Sequence, residues 1–176
     1  RREGQVRLEG DGAATTVDGA YGLSGNQHSD VFSEILHLAP DTESKQTVKG
    51  VLGGDSRGVF QGRIHVARTA QRTDGRQLHK ALLLNRGPEV DCKPELEIYA
   101  DDVQCAHGAT TGEMNPEHIF YLLSRGIDEK TARALLVEGF LDDVILNVAD
   151  EPVRNLILDL VKTWLARQRI LSIGEL

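Results

Sequence analysis

The first two thirds of the chain are divided into short segments of alternating apolar and polar residues, and this pattern constrains the fold more than any other. Val6 and Leu8 show the alternation, as do Ile64 and Val66, and a period of two is typical of strands with one buried face. Turn-forming residues such as Gly53-Gly54-Asp55 separate the segments. The predicted strands are Gln5–Glu9, Ala13–Tyr21, Phe32–Leu38, Gln46–Leu52, Val59–Val66, Gln77–Leu84, Glu95–Tyr99 and Val103–His107.

Many short strands with turns at intervals predict a sandwich, a barrel or a parallel β-helix. The residue pattern alone does not separate these three architectures. An imperfect repeat is compatible with a β-helix, whose coils vary in length, but no repeat consensus can be written for this sequence. The pattern therefore predicts a mainly β core and leaves the arrangement of its strands open.

From about Asn115 the pattern becomes helical. Asn115 is a good N-cap, Pro116 suits the first helical position, and Gly126 is expected to end this first helix. A second helix is predicted to start with Asp128 as its N-cap. Gly139 predicts a break near the end of that second helix, because a glycine inside a helix costs about 1 kcal/mol relative to alanine.

A third helix is predicted to begin with Pro152, after Asp150-Glu151. Its apolar residues form a wide stripe at helical spacing. The members of the stripe are Val153, Ile157, Leu160, Val161, Trp164 and Leu165. The C-terminal third of the chain is therefore expected to be a small helical subdomain.

Composition excludes several classes of function. A net charge of -7 argues against non-specific binding to nucleic acid or to an anionic membrane. No apolar run approaches the length of a membrane span, and no signal-peptide core follows the N-terminus. Two cysteines are too few for a disulfide scaffold, so a reducing, cytoplasmic compartment is expected. The only methionine is Met114, which suggests a fragment or a processed form whose missing part is N-terminal.

Cys105 and His107 are the candidate site residues, and they lie where the strand pattern gives way to the helical one. Two residues apart on an extended segment, they would share one face at a separation of roughly 6.6 Å along the strand. A thiol and an imidazole on one face suit a soft metal such as iron or zinc. A lone cysteine is more commonly a small buried hydrophobe, and a cluster usually needs four ligands, so further ligands would have to come from elsewhere in the fold or from a partner chain.

Two blocks of sequence resemble the SufB/SufD family of iron–sulfur cluster assembly proteins. They are Pro94–Gly112, PELEIYADDVQCAHGATTG, and Phe120–Phe140, FYLLSRGIDEKTARALLVEGF. The sequence His107-Gly108-Ala109-Thr110 is similar to the SufD branch, whereas SufB-like chains tend to carry His-Glu-Ala-Thr at this point. The resemblance implies a right-handed parallel β-helix core over residues 1–112, truncated at its N-terminal end, and a helical subdomain over residues 113–176.

The resemblance also implies a function. The chain would be a component of a SufBCD-like scaffold, pairing with a SufB-like subunit or with itself, and a transient iron–sulfur cluster or iron would form at the junction near Cys105 and His107. The C-terminal helices would dock a SufC-like ABC ATPase. The matching docking positions are Ser124, Arg125, Gly126, Ala134, Leu135, Gly139 and Phe140. The sequence has no Gly-Lys-Ser/Thr phosphate-binding loop, and we expect an assembly component and not an enzyme.

Two other functions remain open on sequence grounds. A β-helix enzyme acting on carbohydrate would use surface carboxylates such as Asp101 or Asp55, although an aromatic content of only 5% counts against sugar stacking. A structural interaction module with a coincidental Cys-x-His is the other alternative. Cys92 is interpreted as structural. The remaining histidines show no ligand spacing and stay unassigned, namely His28, His37, His65, His79 and His118.

Overall fold

The computed structural model describes residues 1–167, and within them eight strands precede three helices. The strands are β1 Arg2–Leu8, β2 Ala14–Leu23, β3 His28–His37, β4 Glu43–Leu52, β5 Arg57–Val66, β6 Thr73–Leu83, β7 Glu89–Ile98 and β8 Val103–Glu113. Odd-numbered strands form one sheet in the order β1-β3-β5-β7, and even-numbered strands form a second in the order β2-β4-β6-β8. Every pairing is parallel, so the chain winds through four coils of a β-helix.

The structure confirms a parallel β-helix and excludes the sandwich and the barrel. Each predicted strand falls on an observed one, but the observed strands are longer. The last strand continues to Glu113, six residues beyond its predicted end at His107. Pairing with the preceding coil holds these extra residues extended, because their backbone groups bond to β6 whatever their side chains prefer.

The coils stack in register with a period that varies. Arg2 pairs with Val31, 29 residues later, whereas Arg57 pairs with Glu89, 32 residues later. The turns absorb the difference in length, and the paired strands keep a constant register. This variation explains why the sequence yields no repeat consensus.

The interior of the β-helix is filled by the side chains of alternate residues. In β5 every second residue is buried, and the largest of these, Phe60 and Ile64, are fully enclosed. Apolar side chains from the facing sheet, such as Leu52, complete the filling. Polar residues are also buried on the inner faces of the strands, and these are Ser44, Gln46, Thr73, Gln77, His37 and His79.

The helices are α1 Pro116–Ser124, α2 Glu129–Ile145 and α3 Glu151–Ala166. The predicted N-caps Asn115 and Asp128 are confirmed, because each side chain accepts a hydrogen bond from a backbone N–H in the first turn. Gly126 follows the C-cap of α1 with a φ of 82°, a left-handed conformation that favours glycine. The third helix starts one residue before the predicted Pro152, with Asp150 as its cap.

The predicted break at Gly139 is wrong, since α2 runs without interruption to Ile145. The roughly 1 kcal/mol that a glycine costs inside a helix is outweighed by packing on both sides of it. Val137, Leu141 and Val144 are all buried on the face of α2 that meets the sheet. Residues 168–176 of the predicted helical subdomain lie outside the described residues.

The helices share a hydrophobic core with the outer face of the even-numbered sheet. Val51 and Leu84 from the β-helix pack with Val137, Leu141 and Leu165 from the helices. The two predicted regions are therefore joined by one continuous core. Within residues 1–167, none of the helices has both the length and the apolar character needed to cross a membrane.

Lys49 fastens α2 to the β-helix. Its side chain is only 3% exposed, and its ammonium donates to the Phe140 carbonyl and to the Asp143 carboxylate. The same ammonium lies 4.7 Å from the centre of the Phe140 ring, in cation–π contact. Trp164 of α3 makes a second attachment, because its indole lies 2.8 Å from the point that a Cβ on Gly22 would occupy.

We expect Lys49→Met to weaken the attachment of α2. Methionine keeps the aliphatic stem but removes the bonds to the Phe140 carbonyl and the Asp143 carboxylate, which should lower the free energy of unfolding by about 1–3 kcal/mol. Amide hydrogen exchange should rise in α2 and stay unchanged in β5. Lys45→Met, on the same face of β4 but exposed, is the control. Equal effects of the two substitutions would contradict the assignment.

Candidate functional site

Cys105 and His107 lie on β8, the last strand of the even-numbered sheet. One edge of β8 is paired with β6, and no other strand described within residues 1–167 pairs with its second edge. Cys105 packs against the interior cluster that contains Ile64 and Ala100, so it is on the inner face. His107 shares that face because it is two residues away. Cys105 is half-buried, whereas His107 is exposed at the open end of the β-helix.

The thiol of Cys105 faces a notch that Gly75 creates on the neighbouring strand. A Cβ on Gly75 would lie 3.3 Å from Cys105 Sγ and 3.7 Å from His37 Nε2. Burial raises the pKa of Cys105 above its ordinary value, and a hydrogen bond with the Gly75 backbone opposes part of that rise. The group is therefore a neutral thiol near pH 7. A metal ion binding there would have to displace its proton, since the thiolate is the ligand.

His37 lies behind this notch and is already fully bonded. Its Nδ1 and Nε2 lie 2.8 Å from the hydroxyl oxygens of Thr42 and Ser44, respectively. In the neutral ring one of these nitrogens donates and the other accepts, so both are engaged by the two hydroxyl groups. Burial lowers the pKa of His37 to about 4. His37 is therefore a neutral interior histidine with neither nitrogen available to a metal.

A second thiol–imidazole contact was not found from the sequence. Cys92 Sγ lies 2.8 Å from His79 Nδ1, while His79 Nε2 lies 3.0 Å from the Tyr21 hydroxyl. The Phe60 ring stacks on His79 at 4.8 Å. Burial lowers the pKa of His79 to about 4, and burial together with the charge of Asp91 raises the pKa of Cys92 to about 11.

The Cys92–His79 pair is therefore a hydrogen bond between neutral groups and not a thiolate–imidazolium pair. Such a contact is typical of a structural interior cysteine, which is how the sequence was interpreted. No spacing rule could have found the pair, because Cys92 lies on β7 and His79 on β6, in opposite sheets.

The candidate metal ligands are few. Among residues 1–167 no group of three or more His, Cys, Asp or Glu side chains is arranged to hold a metal ion. Cys105 and His107 offer two ligands, so a cluster held there would need others from outside these residues.

The carboxylates considered for carbohydrate chemistry are not paired. Asp55 follows β4, whereas Asp101 follows β7, and these turns lie at opposite corners of the coil. The two corners are separated by a strand of ten residues, a distance of roughly 30 Å. Glycosidase carboxylates are about 5–9.5 Å apart. These two aspartates therefore cannot act together on one glycosidic bond.

The seven docking candidates fall into two groups. Ser124, Arg125 and Gly126 are exposed at the end of α1, and Leu135 and Gly139 are exposed on α2. In contrast, Ala134 and Phe140 are partly buried and pack against the core that the helices share with the sheet. The five exposed candidates are accessible to a partner, whereas Ala134 and Phe140 lie beneath them and pack against the core.

Sequence reasoning missed the most exposed apolar residues beside these candidates. Phe120 is 73% exposed, Tyr121 57% and Leu123 41%, all on α1. Leu123 is at helical spacing from Ile119 and next to Leu122, but only Ile119 and Leu122 turn partly inward. The adjacent aromatic residues Phe120 and Tyr121 were the available signal. Neighbouring residues lie about 100° apart around a helix, so a narrow buried stripe does not hold both.

The comparison with known families agrees with this arrangement. The family model described as SUF system FeS cluster assembly, SufBD core domain, matches residues 1–140. This range contains all four coils, both candidate ligands and most of α2. The chain belongs to the SufB/SufD family.

Individual relatives in the SufB/SufD family show the same likeness. The iron–sulfur cluster assembly protein SufD of Escherichia coli is 35% identical over 158 residues, which are 90% of this chain and 37% of that protein. Protein ABCI7, chloroplastic, of Arabidopsis thaliana is 38% identical over 130 residues, 73% of this chain and 27% of that protein. A SufBD family protein of Synechocystis is 37% identical over 123 residues, 70% and 27% of the respective chains. This chain thus spans well under half the length of these relatives.

The buried histidines predict a pH dependence of stability. His37 and His79 have folded pKa values of about 4, below the ordinary 6.5, so the unfolded state binds protons that the folded state excludes. The contribution of these histidines to the free energy of unfolding should therefore be fully present above pH 6.5. It should fall as the pH drops towards 4, by about 1.4 kcal/mol per pH unit for each histidine.

The measurement is urea unfolding of the wild type and of His37→Gln between pH 4 and pH 7. Carboxylates contribute equally to both proteins, so the difference in slope isolates His37. Parallel curves for the two proteins would show that His37 does not remain neutral in the folded state.

Proposed function

We propose that this chain is the part of a non-catalytic iron–sulfur cluster assembly component that carries a ligand pair at a subunit junction. The observation that supports this proposal is the position of Cys105 and His107 on the inner face of β8, beside an edge that no described strand pairs. Interior side chains of the middle coils are enclosed by the coils on either side. On β8 they can meet residues from another chain.

The composition of the terminal strands supports pairing through β8. Exposed edges are usually blunted by lysine, proline or inward charges, and β7 carries Lys93, Pro94 and four acidic residues. β8 has neither lysine nor proline, and its single acidic residue, Glu113, is at its end. A SufB-like subunit, or a second copy of this chain, would add a strand to this edge and bring the missing ligands beside Cys105 and His107.

Iron and sulfur are the proposed cargo, held only during assembly. The neutral thiol of Cys105 would lose its proton when iron binds, so occupancy should increase with pH. His107 would supply the nitrogen ligand from the exposed end of the β-helix. Soft thiolate and imidazole ligands suit iron in this role.

The exposed surface of α1 and α2 is the proposed docking site for a SufC-like ABC ATPase. It combines Phe120, Tyr121 and Leu123 with the exposed family positions. These positions are Ser124, Arg125, Gly126, Leu135 and Gly139. Aromatic and arginine side chains are those that most often dominate protein interfaces. Because Lys49 joins α2 to β4, nucleotide-driven movement of the ATPase would reach the β-helix through that contact.

The ligand proposal predicts the behaviour of a double variant. Cys105→Ser with His107→Ala should reduce iron–sulfur cluster formation in the reconstituted complex by at least about tenfold, since even changes around a metal ligand cost that much. Cluster absorption and bound iron would be measured. Cys92→Ala, which removes the other cysteine, is the matched control. Equal cluster formation by the double variant and the wild type would exclude the proposed ligands.

The docking proposal predicts a different loss. Tyr121→Asp combined with Leu123→Asp should abolish co-elution with the cognate ABC ATPase on a sizing column, because it places two charges in an apolar contact. Leu156→Asp on α3 changes a leucine that is outside the surface and more exposed than Leu123, at 60% against 41%, and it should leave the complex intact. Retention of the complex by the double variant would place the ATPase elsewhere.

A further inference from the structure

A column of polar side chains runs through the interior of the β-helix and ends beneath His107. Gln46 pairs with Gln77, and Gln77 with His107, on the successive strands β4, β6 and β8. Within the column Gln46 Nε2 donates to Ser33 Oγ, and Gln77 Nε2 donates to Gln46 Oε1 at 2.9 Å. Both glutamines are nearly inaccessible, at 2% and 3% exposure.

The column contains one unused acceptor. Gln77 Oε1 is buried, and no side chain or backbone group among residues 1–167 donates a hydrogen bond to it. A buried amide oxygen without a donor costs about 1–3 kcal/mol. Relatively few native groups bear this cost, and those that do need an explanation.

The geometry gives the direction in which this oxygen is aimed. The Gln77 amide lies flat against Gly62 on the opposite sheet, where a Cβ would be 2.3 Å from Nε2 and 2.7 Å from Oε1. Its nitrogen is turned towards β4 to reach Gln46, so the oxygen on the same carbon is turned away from β4. The strand on that side is β8, and its paired inward residue is His107.

We propose that Gln77 is a positioning residue for His107. When a partner strand covers the edge of β8 and excludes water, one ring N–H of His107 donates to Gln77 Oε1. The other ring nitrogen is then unprotonated and faces the junction, in the form that binds a metal. Metal-binding histidines commonly donate their second N–H to such an acceptor. The inference rests on the proposed function only in naming iron as the ligand of His107.

The test uses the full-length protein paired with its partner subunit and labelled with ¹⁵N in histidine. The ring signals of His107, assigned by their loss in His107→Ala, should show one protonated and one unprotonated nitrogen in the wild type. Gln77→Leu removes the acceptor and should give averaged signals from both tautomers. Gln77→Glu, which when protonated can donate to Gln46 and accept from His107, should restore the single tautomer.

Binding of Co²⁺, used as a probe for iron, provides the second readout. Gln77→Leu should weaken Co²⁺ binding at the junction by about tenfold, and Gln77→Glu should restore it. Gln77→Met replaces Gln77→Leu if the latter does not fold. Identical tautomers in the wild type and in the variants lacking an acceptor would overturn the inference even if Co²⁺ binds. A fixed tautomer without any Co²⁺ binding would instead support Gln77 and count against the proposed function.

Discussion

Hydrogen bonding between successive coils in parallel register is the interaction on which the rest of this structure depends. It places each residue on its counterpart in the next coil, as Thr73 lies on Val103, and it encloses every interior side chain except those of the terminal coils. An inward-facing residue can therefore meet another molecule only at an end of the β-helix. Cys105 and His107 occupy that position on β8. The same residues placed two coils earlier would be buried in the interior.

The stacked interior also controls the protonation of its polar groups. His37 and His79 are each bonded through both ring nitrogens and are kept neutral by burial. Cys92 is likewise held as a neutral thiol. Buried polar groups are stable only when paired, and these are. Gln77 Oε1 is the exception beside the candidate ligands, and its position suggests that the terminal coil is completed by contact with another chain.

The helical region is packed firmly on the β-helix and is not an independent unit. α2 contacts α1, α3 and strands β2 and β4 of the even-numbered sheet. Lys49 places a buried ammonium at this contact, where it bonds to the backbone of α2 and to Asp143. A buried cation loses its partners if the helix shifts, so the helix and sheet should move together. This arrangement would let a protein bound to α1 act on the β-helix.

The sequence by itself determined the elements of this protein. Alternation, which is clear in several segments, and the turn residues between segments located all eight strands. Asn115, Asp128 and Gly126 marked helix ends through local backbone chemistry. It also placed Cys105 and His107 on one face, because that depends only on the two-residue period. Family resemblance, and not residue pattern, selected the β-helix among three architectures.

Tertiary structure alone decided what these elements contact. The Cys92–His79 and Gln46–Gln77 contacts join residues 13 and 31 positions apart, and turn lengths that no local rule fixes bring them together. Helical spacing could not show that Leu123 faces solvent. The low helix propensity of glycine could not show that packing would keep α2 helical at Gly139. Local preferences are worth about 1 kcal/mol, whereas the buried core shared by helices and sheet contributes several times more, and so it overrides them.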